Sequence, residues 1–367
     1  MSTLPAAQLP DEPWSDQPLT WLGTAFDQLA LRGLRLALDT LMRPPALDLH
    51  RVRASALPYL SADLHSEPRR FFAFLDAPPP AVRMRARRRR RLAGGEVVSR
   101  EFRTRYEPYH RAPGWTAHPE NDLVAVEHWM HRPGPPRATV LALHGFTMGY
   151  PWIDAHMLMA ARWFDLGFDV ALLTLPFHGT RSPRSARYSG ELFASWDVGH
   201  LNEAVRQSVH DVDLVKAWLA ETTGPPVGLV GLSLGGYVVS LVAGLCADPA
   251  FVIAVAPPVC LHAVASRLFA TAGRRSSTPT ALSLPELRRA YRVHSPLTYP
   301  LAIARERTLI LGARGDGIVP PEHAHALWRH WGNSPAYWFS GSHMAPFRRS
   351  LIMARIADHL RGLGLLA

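Results

Sequence analysis

The chain has 367 residues, of which 47% are hydrophobic and 19% are charged, so it can bury a large core without covalent cross-links. Its only cysteines, Cys246 and Cys260, exclude a disulfide-rich scaffold and a four-thiolate zinc or iron–sulfur site. The net charge is +10, but seven arginines lie within Arg83–Arg91, and without them the net charge would be +3. The excess of positive charge is therefore local.

The N-terminal residues 1–18 are acidic and rich in proline, and they lack the basic start and the apolar stretch of a signal peptide. No run of about 18 uncharged apolar residues occurs in the sequence. We therefore expect a cytoplasmic protein.

Residues 1–95 differ in composition from the rest and are predicted to form a helical, arginine-rich extension. Apolar residues recur at helical spacing from Trp21 to the Pro44-Pro45 pair, which predicts an amphipathic helix whose apolar stripe packs on its own domain. The stripe consists of Leu22, Phe26, Leu29, Ala30, Gly33, Leu34, Ala37, Leu38 and Leu41. Further short helices are expected over 51–75.

The arginine run, Arg83–Arg91, has two interpretations. The simpler one is a solvated helix face or a loop that joins the extension to the rest of the chain. The guanidinium groups could instead bind the phosphates of anionic lipid or of nucleic acid. Because the run lacks interleaved aromatic residues and a recognised nucleic-acid-binding fold, we expect no nucleic-acid partner. Weak contact with an anionic membrane surface stays open.

From Glu96 onwards, short apolar runs alternate with helical stretches. Two half-buried strands are predicted first, over 96–108 and 123–131. Continuous apolar runs follow, which are typical of strands buried on both faces of a parallel sheet. These runs cover 138–143, 169–175, 227–232, 251–256, 308–311 and 336–339. Helical stretches lie near 152–166, 198–222, 235–247, 321–332 and 347–363.

This alternation predicts the α/β class, with a mostly parallel central sheet and helices on both of its faces. An insertion at about 258–300 has helical character and is predicted to form a cap. The expected organisation is thus an extension over 1–95 and a second domain over 96–367 that includes this cap.

The segment Val227–Leu245 has the pattern of an apolar strand, a tight turn and an apolar helix. The turn contains Gly231-Leu232-Ser233-Leu234-Gly235, which is the Gly-x-Ser-x-Gly pattern of a nucleophile elbow in the context that this motif requires. The glycines leave room for a strained backbone, and the N-terminus of the helix directs N–H groups at developing negative charge. An inert serine on a Gly-rich turn is the alternative, which the flanking strand and helix disfavour.

A nucleophilic serine needs a base that is oriented by an acid. In proteins with this elbow, the acid and then the histidine follow the serine along the chain, each just after a strand. No carboxylate lies between Asp248 and Glu286, whereas Asp316 follows the fifth apolar run and His343 follows the sixth. The sequence predicts Ser233 as the nucleophile, His343 as the base and Asp316 as the orienting acid.

The segment His144-Gly145-Phe146 ends the first apolar run and predicts the second half of an oxyanion hole. Gly145 would let the backbone approach the substrate, so that the N–H of Phe146 joins that of Leu234. We expect His144 to be structural, because it precedes the nucleophile in the chain and lies on the wrong loop for a base.

These segments resemble the α/β-hydrolase superfamily over roughly residues 96–367, and Pro176–Ser182 resembles the His-Gly-x-Ser loop that follows the fourth strand in many members. Within the superfamily, the chain is similar to poorly characterised bacterial serine hydrolases. The resemblance implies the α/β-hydrolase fold, a triad of Ser233, His343 and Asp316, and ester hydrolysis through an acyl-enzyme. The sequence departs from the common pattern in Gly-Ser-His at His343 and in its long N-terminal extension.

The expected substrate is a small-molecule ester or a lipid ester, and the sequence implies no cofactor and no metal. Candidate walls of an acyl pocket, or else the packing face of a cap helix, are Leu261, Val264, Leu268 and Phe269. An acyltransferase would use the same acyl-enzyme, so this alternative stays open. A non-catalytic scaffold that binds anionic lipid or nucleic acid through the arginine run is a further alternative, and the oligomeric state is undetermined.

Overall fold

The computed structural model describes residues 4–41, 49–111, 118–194, 197–224, 226–264 and 282–367. A nine-stranded sheet runs through these residues. Its strands are β1 (Arg85–Leu92), β2 (Gly95–Arg103), β3 (Leu123–His131), β4 (Thr139–Leu143), β5 (Asp169–Leu173), β6 (Val227–Leu232), β7 (Val252–Val255), β8 (Thr308–Ala313) and β9 (Ala336–Phe339).

The strands lie in the order β1-β2-β3-β5-β4-β6-β7-β8-β9. The strands from β5 to β9 in this order are all parallel to one another. The strands β1, β2 and β3 pair antiparallel, and β3 joins the rest through an antiparallel pairing with β5. The prediction of a mostly parallel sheet is therefore confirmed. Because parallel strands end at the same edge, the loops after β4, β6, β8 and β9 lie together at the carboxyl edge.

Helices cover both faces of this sheet. Those of the described residues are α1 (Gln17–Leu41), α2 (Leu49–Ala56), α3 (Ala62–Ser66), α4 (Pro151–Met157), α5 (Ala160–Asp165), α6 (Val198–Thr223), α7 (Leu234–Leu245), α8 (Leu284–Arg292), α9 (Pro321–His330) and α10 (Arg349–Gly362). One apolar cluster contains Val212 of α6 and Val238 of α7, and the other contains Trp163 of α5 and Ile356 of α10. The sheet thus has a core on each face.

The local sequence explains several helix boundaries. The Asp197 side chain accepts a hydrogen bond from the His200 N–H at the start of α6 (3.1 Å). Ser283 and Glu286 form a reciprocal capping box at the start of α8. The single helix that was predicted after β4 is divided into α4 and α5, because Met159 takes a left-handed backbone conformation (φ 56°).

Six of the seven arginines of the run lie in the edge strand β1, so the prediction of a helix face or a joining loop is wrong for this part. The strand pairs with β2 and is almost wholly exposed. Arg87 forms an ion pair with Glu101, and Arg89 forms one with Glu96 (3.3 Å). Charged side chains on an edge strand discourage another chain from extending the sheet, which is a structural reason for the run. The division that was predicted after residue 95 falls at the start of β2.

The helix α1 packs through a different face from the one that the sequence predicted. Within 17–33, its buried residues are Gly23, Asp27 and Leu31, which are spaced four residues apart. The predicted stripe includes Leu22, Phe26 and Leu29, but the side chains of these three residues are exposed. The side chains of residues 34–41 lie outside the described ones. The stripe prediction is therefore wrong over the part of α1 that can be compared.

The insertion at about 258–300 is described at its two ends only. A helical turn covers 261–264 and α8 begins at Leu284, while residues 265–281 lie outside the described part. The cap stays a prediction. Among the helices of the described ranges, none is both long enough and apolar enough to cross a bilayer.

Candidate active site

Ser233 lies in the tight turn between β6 and α7, with φ 53° and ψ −112°. A β-carbon on Gly231 would overlap the backbone of Gly235, and one on Gly235 would overlap the backbone of Leu143. The turn can therefore close in this way only with glycine at both positions. Ser233 itself stays partly exposed, at the N-terminus of a long apolar helix.

The structure brings the three predicted residues Ser233, His343 and Asp316 into one hydrogen-bonded series. Ser233 Oγ lies 2.9 Å from His343 Nε2, and His343 Nδ1 lies 2.7 Å from Asp316 Oδ2. The other carboxylate oxygen of Asp316 accepts the backbone N–H groups of Val319 (2.6 Å) and Ile318 (3.0 Å). Since the ionised carboxylate can only accept, Nδ1 donates to it and Nε2 is left to accept the hydroxyl proton.

The charges around His343 favour its protonated form. Burial lowers the pKa of His343, but the carboxylate of Asp316, its hydrogen bond and the carboxylate of Asp27 outweigh burial, so this pKa is raised above its ordinary value. Burial raises the pKa of Asp316, and the charge of His343 opposes that increase. The site thus stabilises the imidazolium form of His343.

The loop after β4 and the start of α7, which carry the two predicted oxyanion-hole residues, lie next to this series. A β-carbon on Gly145 would lie 3.5 Å from the β-carbon of Ser233, so the loop after β4 passes close to the serine. Phe146 follows directly on that loop. Leu234 is the first residue of α7, where backbone N–H groups have no acceptor within the helix.

His144 has the structural role that the sequence predicted for it. It is fully buried, and burial lowers its pKa to about 4, so the ring is neutral at pH 7. Nε2 accepts the N–H of Leu175 (3.0 Å), which leaves Nδ1 to donate to the Gly145 carbonyl (2.8 Å). The ring therefore holds the loop after β4 against the end of β5.

No family model matches the chain. An uncharacterized protein of Mycobacterium tuberculosis, from strains CDC 1551 / Oshkosh and ATCC 25618 / H37Rv, is 28% identical over 292 residues, which cover 74% of this chain and 68% of the relative. The acetyl xylan esterase from Paenibacillus sp. R4 matches the structure with a TM-score of 0.58 at 14% identity, over 81% of this chain and 94% of its own. Acetyl xylan esterase 1 from Thermoanaerobacterium sp. JW/SL YS485 has a TM-score of 0.56 at 14% identity, over 88% and 99%.

The chain has the α/β-hydrolase fold. The fold that the resemblance implied is thereby confirmed. The predicted nucleophile elbow is the turn between β6 and α7, and the loops after β8 and β9 carry Asp316 and His343.

Buried polar contacts anchor the loop after β5. Arg181 is fully buried, forms an ion pair with Asp211 (2.8 Å) and donates twice to the carbonyl oxygen of Asn121 (2.7 and 3.1 Å). The neighbouring ring of His178 packs edge-on against Phe146, with 5.9 Å between the ring centroids. The loop therefore supports the residue that was predicted to supply one oxyanion N–H.

The sequence analysis missed Asp27, which lies on α1 and is fully buried against the loop that carries His343. Its available signal was the position of this acid, four residues after Gly23 and so on the same helix face. It also missed the part played by Ser342, which it recorded only as a departure from the common pattern. The Ser342 hydroxyl donates to Asp27 Oδ1 at 2.8 Å.

The predicted acyl-pocket residues are described only in part. Leu261 packs against the core and Val264 is partly buried, whereas Leu268 and Phe269 lie outside the described residues. The pocket stays a prediction. Within the described part of the chain, no three histidine, cysteine or acidic side chains come together in a way that could hold a metal ion.

Proposed function

We propose that this chain is a serine hydrolase that cleaves a carboxylic ester through an acyl-enzyme. The observation that carries the proposal is the hydrogen-bonded series from Ser233 through His343 to Asp316, on three loops at the carboxyl edge of the sheet. A serine hydroxyl is a weak nucleophile, and a histidine that removes its proton during attack makes it effective.

In the acylation half, Ser233 Oγ attacks the ester carbonyl carbon while His343 Nε2 takes the hydroxyl proton. The oxyanion that forms accepts hydrogen bonds from the N–H groups of Phe146 and Leu234. When the tetrahedral intermediate collapses, the bond to the alcohol oxygen breaks and His343 returns its proton to that oxygen. The alcohol leaves, and the acyl group stays on Ser233.

In the deacylation half, a water molecule attacks the acyl carbon and gives a proton to His343. Collapse of the second intermediate returns this proton to Ser233 Oγ and releases the carboxylic acid. Asp316 holds the Nδ1–H of His343 throughout and stabilises the imidazolium in both halves. The raised pKa of His343 supports this assignment, because it reflects the same stabilisation.

The choice of substrate for a test follows from the comparisons. Both solved structures reported above are named acetyl xylan esterases. An acetyl ester is therefore the first probe, and longer acyl chains then measure the space around the acyl group. A preference for octanoate over acetate would favour the lipid-ester alternative.

The test is the hydrolysis of p-nitrophenyl acetate, butyrate and octanoate by purified full-length protein. We expect Ser233→Ala and His343→Ala to lower kcat by roughly 10⁴-fold or more, and Asp316→Asn by roughly 10³- to 10⁴-fold. The control is Ser240→Ala, because this hydroxyl donates to the Gly236 carbonyl inside α7 (2.7 Å). Turnover that survives in folded Ser233→Ala would reject the proposal.

The same assay separates hydrolysis from acyl transfer. Added alcohols of increasing size compete with water for the acyl-enzyme, and a new ester can be measured beside the free acid. We expect the free acid to dominate at modest alcohol concentration. A new ester as the main product under those conditions would favour the acyltransferase.

A further inference from the structure

The small and polar face of α1 lies directly against the loops after β8 and β9. A β-carbon on Gly23 would lie 2.8 Å from the carbonyl carbon of Gly341 and 2.8 Å from the nitrogen of Ser342, so the helix and the second loop are in close backbone contact. Thr24 Oγ1 donates to the carbonyl oxygen of Gly315 on the first loop (3.0 Å). The N-terminal helix thus reaches both loops just before the acid and the histidine of the site.

Asp27 lies at the centre of this contact and is fully buried. Its Oδ2 accepts the backbone N–H groups of Gly317 (2.9 Å) and His343 (3.0 Å). Its Oδ1 accepts the Ser342 hydroxyl (2.8 Å) and the Met344 N–H (3.0 Å). One carboxylate therefore joins the loop after β8 to three consecutive residues of the loop after β9.

The four donors to Asp27 are three backbone N–H groups and one hydroxyl, none of which carries a charge. Burying an ionised carboxylate on neutral donors is costly, and apolar packing anchors a helix at a lower cost. The four buried donors need acceptors, but anchoring of α1 does not by itself require that the acceptor carry a charge. The adjacent group that becomes charged during the proposed reaction is the imidazole of His343.

We infer that Asp27 is a positioning residue for His343. It fixes the backbone of the histidine relative to Asp316, and its negative charge stabilises the imidazolium. It touches no substrate and acts through the histidine. This inference rests on the proposed function, and it makes the N-terminal helix a part of the catalytic machinery.

The charge of Asp27 has a consequence that anchoring alone would not have. The groups that face His343 are Asp316 from the loop after β8, Asp27 from α1 and the neutral Ser233 from the start of α7. Both carboxylates oppose the effect of burial and raise the pKa of the histidine. Without one of them, the imidazole would stay neutral, and able to act as a base, down to a lower pH.

The test compares full-length wild type with Asp27→Asn on p-nitrophenyl acetate. An asparagine keeps one acceptor oxygen and turns its NH₂ group towards two of the donors, so the loop shifts. We expect kcat to fall by about 10- to 100-fold with KM changed by less than about twofold. We also expect the acid limb of kcat/KM to move to lower pH. Asp27→Glu keeps the charge, so its acid limb should stay at the wild-type pH while kcat falls.

The control is Gln28→Ala, the next residue on α1, which is exposed. Wild-type kcat and an unmoved acid limb in folded Asp27→Asn would overturn the inference. If this variant does not fold, Ser342→Ala removes one of the four hydrogen bonds and should lower kcat by about 3- to 10-fold at unchanged KM. A wild-type kcat in Ser342→Ala would then overturn it.

A measurement that does not depend on catalytic turnover, the titration of His343, separates this inference from the proposed function. Wild type that lacks Ser233-dependent hydrolysis would refute the proposed function alone. The titration of the His343 ring, followed by NMR and assigned with His343→Ala, would still be measured in wild type and Asp27→Asn. A lower pKa of His343 in the variant supports the contact, and an unchanged pKa overturns it.

Discussion

At Ser233 the backbone takes φ 53° and ψ −112°, a conformation that a residue with a side chain adopts at a cost of roughly 1–3 kcal/mol. The strain persists because β6 and α7 are buried on both sides of the turn and because Gly231 and Gly235 allow the chain to close. The consequence is a hydroxyl that points out of the sheet edge towards His343. The backbone strain and the position of this hydroxyl therefore have one cause.

The pH dependence of the wild type follows from the raised pKa of His343. The neutral imidazole is the form that accepts the proton of Ser233, so kcat/KM should rise with pH through this pKa. We expect the midpoint of that rise to lie above the ordinary value of about 6.5. The measurement is kcat/KM for p-nitrophenyl acetate across pH 4.5 to 9, and a midpoint clearly below 6.5 would contradict the assignment of His343 as the base.

At the scale of elements, α1 shows how a helix can dock through backbone contact. Its buried face carries Gly23 and Asp27 beside Leu31, whereas several of its other large apolar residues are exposed. Close approach at Gly23 lets polar side chains reach the carbonyl and N–H groups of two loops. The helix therefore positions loops more than it fills a core.

The matched pair Gly23→Ala and Gly33→Ala tests this docking. Alanine at position 23 would press against the backbone of Gly341, so we expect a loss of about 1–3 kcal/mol in the free energy of unfolding. Alanine at position 33 meets no atom within 4 Å, and the better helix propensity should add up to about 1 kcal/mol. Urea unfolding measures both values, and equal changes in the two variants would show that α1 does not dock at Gly23.

The buried face of α1 could not be predicted from the sequence. Hydrophobic periodicity identified α1, but it reports where apolar residues recur and not which face finds a partner. The partner of Asp27 is mostly backbone, which leaves no trace in the pattern of side chains. By contrast, Ser233, Asp316 and His343 could be placed because each follows a strand, and the parallel sheet brings those strand ends together.

At the scale of the whole molecule, the continuous apolar runs predicted all six strands of the parallel part, since strands buried on both faces need apolar side chains throughout. The edge strand β1 was not predicted because six of its eight residues are arginines, which do not form the apolar pattern that indicates a strand. Its ladder with β2 depends on backbone hydrogen bonds that any sequence can supply. Contact of this strand with an anionic membrane surface stays a prediction.

Buried neutral histidines should make the whole fold sensitive to acid. Burial lowers the pKa of His128 to about 3, helped by the charges of Arg100 and Arg132, so the native state binds this proton more weakly than the unfolded chain. The contribution of His128 to the free energy of unfolding is fully present above its pKa in the unfolded chain, which is about 6.5. This contribution is lost as the pH falls towards 3. Between pH 7 and pH 5 the loss is about 2 kcal/mol.

The variant His128→Phe measures this contribution. The ring packs edge-on against Trp218 at 5.7 Å and lies in the buried part of β3, so phenylalanine should fit. We expect the free energy of unfolding of the variant to fall less between pH 7 and pH 5 than that of wild type, by about 2 kcal/mol. The exposed His50→Phe is the control, and parallel pH curves for wild type and His128→Phe would contradict the prediction.

The central claim is that Ser233 is an activated nucleophile. The most direct measurement is the intact mass of the folded full-length protein after reaction with a fluorophosphonate, which traps a serine only when a base activates it. We predict a single adduct on wild type and on Ser240→Ala, and none on Ser233→Ala. An adduct that remains on Ser233→Ala, or a folded wild type that gains none, would contradict the claim.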